Sequence, residues 1–153
     1  MFKRRRTESP GTHIYFISWV ENSDSLIKQE LSVIKQDIDS TRDWPKIAVL
    51  MPVYNPCKQH LEEAVQSVLK QVYPNWELCI ADDNSDEIHV RKLIQRYMKR
   101  DNRIKAVFRE FNGHISQASN SALELVDADY VALMDHDDVL VPDALYRIAK
   151  AIK

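Results

Sequence analysis

The amino-acid sequence predicts an α/β fold with a mostly parallel sheet. Short apolar runs recur at Lys46–Met51, Trp76–Ala81, Ile104–Phe108 and Tyr130–Met134. The segments between them repeat their apolar residues at helical spacing. The runs are continuous rather than alternating, as expected of strands covered on both faces. Strand–helix alternation of this kind folds into a sheet with right-handed crossovers.

In chain order, residues 1–12 are charged and broken by Pro10-Gly11, so no element is expected there. His13–Val20 carries Tyr15, Phe16 and Trp19, enough to dock on a larger body. From Ser25 the pattern is helical. Ile27, Leu31, Ile34 and Ile38 share a face, with Ser23 or Asp24 as N-cap. Asp39–Pro45 reads as a linker. Residues 1–45 are therefore a helical N-terminal extension, and 46–153 the domain.

Lys46–Met51 is the first strand, and Pro52-Val53-Tyr54-Asn55-Pro56 a loop. Leu61, Val65, Val68 and Val72 mark a helix closed by Tyr73-Pro74. Trp76–Ala81 is a strand running into Asp82-Asp83-Asn84-Ser85-Asp86. Val90, Leu93, Ile94 and Tyr97 line the next helix, before the strand Ile104–Phe108 and the turn Asn112-Gly113-His114. Ala118, Ala122 and Leu125 line a short helix whose small residues allow close approach to a sheet or a ligand. Tyr130–Met134 is a fourth, buried strand. Asp143 caps a last helix that turns Leu145, Ile148, Ala149 and Ile152 inward.

A chain of 153 residues, 44% hydrophobic and 29% charged, is enough for one globular domain with a real core. A formal charge of -2 gives no global pull toward nucleic acid. Cys57 and Cys79 form no CxxC and read as reduced thiols of a cytoplasmic protein. No run approaches the roughly 20 apolar residues that span a bilayer. Lys3–Arg6 before Ile14–Val20 lacks a small-residue cleavage site and is not read as a signal peptide. That basic cluster reads as a solvated terminus, with peripheral contact to anionic lipid as the alternative. The only glycines are Gly11 and Gly113, which excludes GxGxxG and Walker A loops. A nucleoside diphosphate bound here needs another source of positive charge.

Asp135-His136-Asp137-Asp138, directly after the fourth strand, offers one. Its carboxylates repel one another, and a hard divalent cation relieves the repulsion. The alternative is a solvated acidic turn. Position favours the cation, because ligands of open parallel sheets bind beyond the carboxyl ends of strands. Pro52–Asn55 and Asp82-Asp83 also lie at strand ends. Tyr54 is either a half-buried aromatic or a ring near a nucleobase. Asp82 and Asp83 either form a turn or accept hydrogen bonds from a base or ribose. His136 is either a metal ligand or a supporting residue; strand alternation, which points it away from Asp135 and Asp137, favours the second reading. His114 reads as exposed or capping. No nucleophile–base constellation is evident.

Four pieces, in this order, resemble family 2 glycosyltransferases of the GT-A fold: Met51-Pro52-Val53-Tyr54-Asn55, Ile80-Ala81-Asp82-Asp83-Asn84-Ser85, Asn112-Gly113-His114-Ile115-Ser116 with Ala118 and Asn120, and Leu133-Met134-Asp135-His136-Asp137-Asp138 before Pro142-Asp143-Ala144-Leu145. The resemblance covers Lys46–Lys153, is similar to bacterial O-antigen or rhamnan-type enzymes, and includes the aromatic segment before the domain.

The resemblance implies a Rossmann-like GT-A fold, lacking its C-terminal part, and a nucleotide-sugar site. Pro52, Val53 and Tyr54 line the base pocket, Asp83 contacts the base beside Asp82, and Asn55, Ser116 and Asn120 belong to the same nucleotide-sugar site. Asp137 ligates Mn2+ or Mg2+, and Asp135 contacts the ribose or the metal shell. Many relatives carry Arg where this chain has Ser119. The implied reaction is inverting transfer from a UDP-, GDP- or dTDP-sugar to a glycan or lipid-linked acceptor in cell-surface polysaccharide synthesis. It is expected in the cytoplasm, at the inner face of the membrane. The general base is expected beyond Lys153, so no catalytic residue is assigned. A truncated product or fragment is expected to bind metal–nucleotide with little turnover, and to self-associate through its open edge. The alternatives are a non-catalytic nucleotide-sugar-binding remnant and a cation module without a nucleotide.

Overall fold

The computed structural model describes residues 29–153. The aromatic segment at 13–20, Ile27 and the caps expected at Ser23 or Asp24 lie outside them. The described chain runs as a helix over residues 29–40 (α1), then β1 (Ile47–Val53), α2 (Lys58–Leu69), β2 (Trp76–Asp82), α3 (Ile88–Met98), β3 (Ile104–Phe108), α4 (His114–Leu123), β4 (Tyr130–Leu133) and α5 (Ala144–Ile152). The four strands form one parallel sheet in the order β3-β2-β1-β4.

Alternation along the central strands separates two apolar layers. Ile47, Val49, Met51 and Val53 of β1, with Trp76, Leu78 and Ile80 of β2, pack under α2, α3 and α5. Ile34 of α1 is buried in this layer, with Leu31 and Ile38 against it. Ala48, Leu50, Cys79 and Ala81 face the other way, onto Ala118 and Ala122 of α4. Small residues on both sides let α4 sit close to the sheet. Chain direction across the sheet reverses between β1 and β4, and that reversal opens a crevice at the carboxyl ends.

Three expectations need correction. β1 does not stop at Met51 but continues through Pro52 and Val53, paired with Ala81 and Asp82. Proline is tolerated because of parity. Leu50 turns its carbonyl to β4, where it accepts from Met134 N at 3.0 Å. Pro52 shares that side, beyond the last β1–β4 pair, Leu50↔Leu133, so its missing N–H leaves no rung unmade. β4 is not a buried strand. Among the described residues it is an edge strand, and Leu133 is 77% exposed, because α4 lies over β1 and β2. Asp143 makes no side-chain cap on α5. Its carboxylate instead takes Arg147 Nε at 2.6 Å, one turn on.

Trp44 fastens the start of the domain. Its indole donates to Ile38 O at 3.1 Å, and its ring meets Tyr73 and Tyr146, both at 5.8 Å between centroids. Asp37 of α1 accepts from Tyr146 Oη at 2.5 Å and Lys150 Nζ at 3.1 Å on α5. Cys57 and Cys79 are both free. Burial, with Glu77 nearby, pushes the Cys79 thiol up to about 11. No described helix is long and apolar enough to cross a membrane.

Candidate functional site

The carboxyl ends of β1, β2 and β4 and the start of α4 enclose a cavity of about 720 Å³. It is lined by Pro52, Val53, Tyr54, Asp83, Asn112, His114, Ile115, Ala118, Asp135, His136 and Asp137. Four separated stretches of sequence therefore meet where the strand order reverses.

Asp83 is the best anchored polar group in it. Only 2% of its surface is exposed. Its amide donates to Val53 O at 2.8 Å, carrying the β1–β2 ladder one step past the strands. Arg109 Nε lies 2.9 Å from Oδ1, and Gly113 N lies 3.0 and 3.1 Å from the two oxygens. Arg109 is a hub. It donates through Nη1 to Ser121 Oγ at 2.9 Å and through Nη2 to Gln117 Oε1 at 2.8 Å. Its own amide donates to Asp82 O at 2.9 Å. This guanidinium binds the end of β3 to α4 and compensates a buried carboxylate that would otherwise be costly.

Arg109 is not among the residues that the sequence singles out: it immediately follows β3, but its role rests on Asp83, far earlier in the chain, and on α4. Asn112, His114 and Ile115 belong to a turn or motif in the sequence, and the fold places them on the cavity wall. His114 takes a left-handed φ of 63° and donates its amide to Asn112 Oδ1 at 3.1 Å.

Gly113 is required by proximity, not by its φ of −121°, which any residue adopts. A Cβ there would lie 2.3 Å from Gln117 Oε1 and 2.5 Å from Arg109 Nη2. Both are ends of flexible side chains and can retreat, at the expense of the bond between them. Gly113→Ala is therefore expected to lower stability by about 1 kcal/mol, one net hydrogen bond. Urea unfolding measures this, and an unchanged midpoint contradicts it.

Asp135, His136 and Asp137 all line the cavity, against the expectation that alternation points His136 away. β4 ends at Leu133, and Asp138 N returns to Asp135 O at 3.2 Å, so the acidic stretch is a turn and strand alternation does not govern it. His136 is half-buried, with Nδ1 3.4 Å from Pro52 O across the β1–β4 gap. Asp135 and Asp137 are exposed.

Asn55, Asp82, Ser116 and Asn120 do not line the cavity. Asn55, at φ 45°, ties two loops: its amide donates to Ser85 Oγ at 2.9 Å and its Oδ1 accepts from Asp86 N at 2.8 Å. Asp82 is buried and accepts from Ser85 N at 3.1 Å, the turn-forming use of an aspartate. Ser116 and Asn120 are exposed on α4.

Among the described residues no three His, Cys, Asp or Glu side chains are grouped to hold a metal ion. A donor set of one or two carboxylates is nevertheless what Mg2+ takes when substrate phosphates and waters complete its shell. Asp135 and Asp137 make no ion pair with a described residue, so they fit that incomplete set.

The chain is 51% identical over 111 residues to "Uncharacterized protein y4gI" of Sinorhizobium fredii, covering 72% of this chain and 12% of that protein. It is 32% identical over 99 residues to the UDP-Glc:alpha-D-GlcNAc-diphosphoundecaprenol beta-1,3-glucosyltransferase WfgD of Escherichia coli, covering 65% and 38%. The chain thus spans well under two thirds of either relative. Among solved structures, S. aureus TarS 1-349 in complex with UDP-GlcNAc superposes with a TM-score of 0.63 at 27% identity, over 70% of this chain and 31% of that one. The sheet order and flanking helices are those of the Rossmann-like GT-A fold. The model of "Glycosyl transferase family 2" matches residues 48–153, more than half of the sequence, and the chain belongs to that family.

Proposed function

We propose that this chain is the donor-binding part of a metal-dependent, inverting glycosyltransferase. It takes a UDP-, GDP- or dTDP-sugar and serves a glycan or lipid-linked acceptor in cell-surface polysaccharide synthesis, at the inner face of the cytoplasmic membrane. One observation carries this reading: Tyr54, Asp83, Asp135 and Asp137, from three strand ends, share a single cavity. The UDP-GlcNAc bound to TarS and the polyprenyl-linked acceptor in the name of WfgD support the substrate classes.

Each residue has a task that its chemistry suits. The Tyr54 ring, 45% exposed at the cavity rim, offers a face to a base. Asp83, fixed by Arg109 and Gly113, accepts from the base edge through its remaining lone pairs. Asp137 holds the metal, and Asp135 accepts from the ribose or orders the metal's waters. Mn2+ or Mg2+ bound there supplies Lewis-acid charge to the departing phosphates. Half-buried Ser119 brings no cation to the donor, so the metal's charge matters more.

Calorimetric titration with UDP, GDP and dTDP, with and without Mn2+, tests the proposal. Mn2+ is expected to tighten binding by at least about tenfold, roughly 1.4 kcal/mol. Metal-independent affinity, or no binding of any of the three, overturns it.

A further inference from the structure

We propose that the outer face of α3 is a docking surface for an anionic phospholipid bilayer. Six cations, Arg91, Lys92, Arg96, Lys99, Arg100 and Arg103, stand within 13 residues against one carboxylate, Asp101. Lys92, Gln95, Arg96, Lys99 and Arg100 line one groove of about 460 Å³. Arg96 is held by Glu62 at 2.6 Å, Arg103 by Asp101 at 2.7 Å, and Arg91 lies 4.6 Å above the Phe108 ring. Lys92, Lys99 and Arg100 are exposed and make no ion pair among the described residues. Lys92 on the helix and Lys99 and Arg100 at its C-terminal end are thus without a counter-charge among the described residues.

The rest of that face selects the partner. Ile88, 72% exposed, heads the stripe that continues through Lys92, Gln95, Arg96 and Lys99 at spacings of one helical turn. An aliphatic residue beside lysines suits insertion at the headgroup boundary. Binding of single-stranded nucleic acid calls for aromatic platforms, and the one aromatic of α3, Tyr97, is buried. The whole chain carries -2, so the attraction is local and acts within a Debye length of about 8 Å at physiological salt.

Orientation follows from topology. α3 runs back along the sheet, from the carboxyl end of β2 to the start of β3. When α3 lies flat on headgroups, the strands lie parallel to the membrane. The cavity at their ends then opens along the lipid surface, where a lipid-linked molecule would reach it. The surface stands on charge and exposure alone, whatever the cavity binds.

Flotation of the full chain with phosphatidylcholine vesicles, with and without phosphatidylglycerol, tests this. Each neutralised cation lowers partitioning about fivefold, so Lys92→Gln/Lys99→Gln/Arg100→Gln is expected to lose about a hundredfold. Arg4→Gln/Arg5→Gln/Arg6→Gln is expected to keep most of the binding. The three positions are exposed and make no ion pair among the described residues, and an unchanged melting curve of the triple variant verifies its fold. The proposal is overturned if the wild type ignores phosphatidylglycerol, if the α3 variant partitions like the wild type, or if a short RNA is bound through α3 while vesicles are not.

Discussion

Asp137→Ala is expected to remove the dependence of nucleotide affinity on Mn2+ while leaving the fold intact. The loss should be at least about a hundredfold, the upper end of what removing an outer partner of a metal ligand costs, since here the ligand itself goes. The residue is exposed and makes no ion pair with a described residue, so nothing in the packing depends on it. Calorimetry with UDP and Mn2+ reads the affinity, and a thermal melt reads the fold. If affinity and its metal response survive, the cation is held elsewhere. If the melt shifts as well, Asp137 has a packing role that its exposure does not predict. Asp135→Ala provides a graded comparison, expected to weaken binding less if its contact is to ribose or to metal-bound water.

At the opposite end of the sheet, Glu77→Ala is expected to cost about 3 kcal/mol of stability, the low end for breaking a buried ion pair. Glu77 is 1% exposed. Its carboxylate takes Lys46 Nζ at 2.6 Å, Lys105 Nζ at 3.1 Å and the Asp127 amide at 2.5 Å. Removing it leaves that amide unpaired and takes the shared carboxylate from both lysines, leaving Lys46 with Asp127 and Lys105 with Leu125 O. The lysines keep about a third of their side-chain exposure and can rehydrate, hence the low end of the range. For a chain of this size the melting midpoint should fall by roughly 10 °C.

The acid limb of stability carries the same signature. Burial raises the Glu77 carboxyl, but Lys46, the Asp127 amide and Lys105 outweigh it and hold the group below the ordinary glutamate range. A carboxyl depressed in the fold stabilises fully above its unfolded pKa. That contribution is lost as pH falls below the unfolded pKa and through the lower folded value. Glu77→Gln should therefore flatten the decline of stability below about pH 4. An unchanged acid limb would show that the Glu77 carboxyl is not held below its unfolded value.

The sheet was legible because its central strands are buried on both faces, so Ile47–Met51 and Trp76–Ala81 had to be apolar throughout. β4 misled because Tyr130–Leu133 has the same composition at an edge: composition reports strand propensity, not position in the sheet. A proline lacks a donor, so Pro52 reads from sequence as a loop residue. Only the register, in which β4 has already parted from β1, shows that no donor is called for there. At the cavity, the acidic turn and Tyr54 stood out as polar or aromatic residues after apolar runs. Arg109 did not, because its role rests on a carboxylate 26 positions earlier and on α4, neither of which periodicity connects to it. Asn55 and Asp82 matched motifs whose residues divide between facing the cavity and bracing the loops around it. Sequence alone does not separate the two tasks.

β1 and β4 part after Leu50↔Leu133, and Pro52, the next residue of β1 that faces β4, has no N–H with which to draw the two strands together again. The cleft then exists before anything arrives, and an incoming molecule need not spend part of its affinity prising two strands apart.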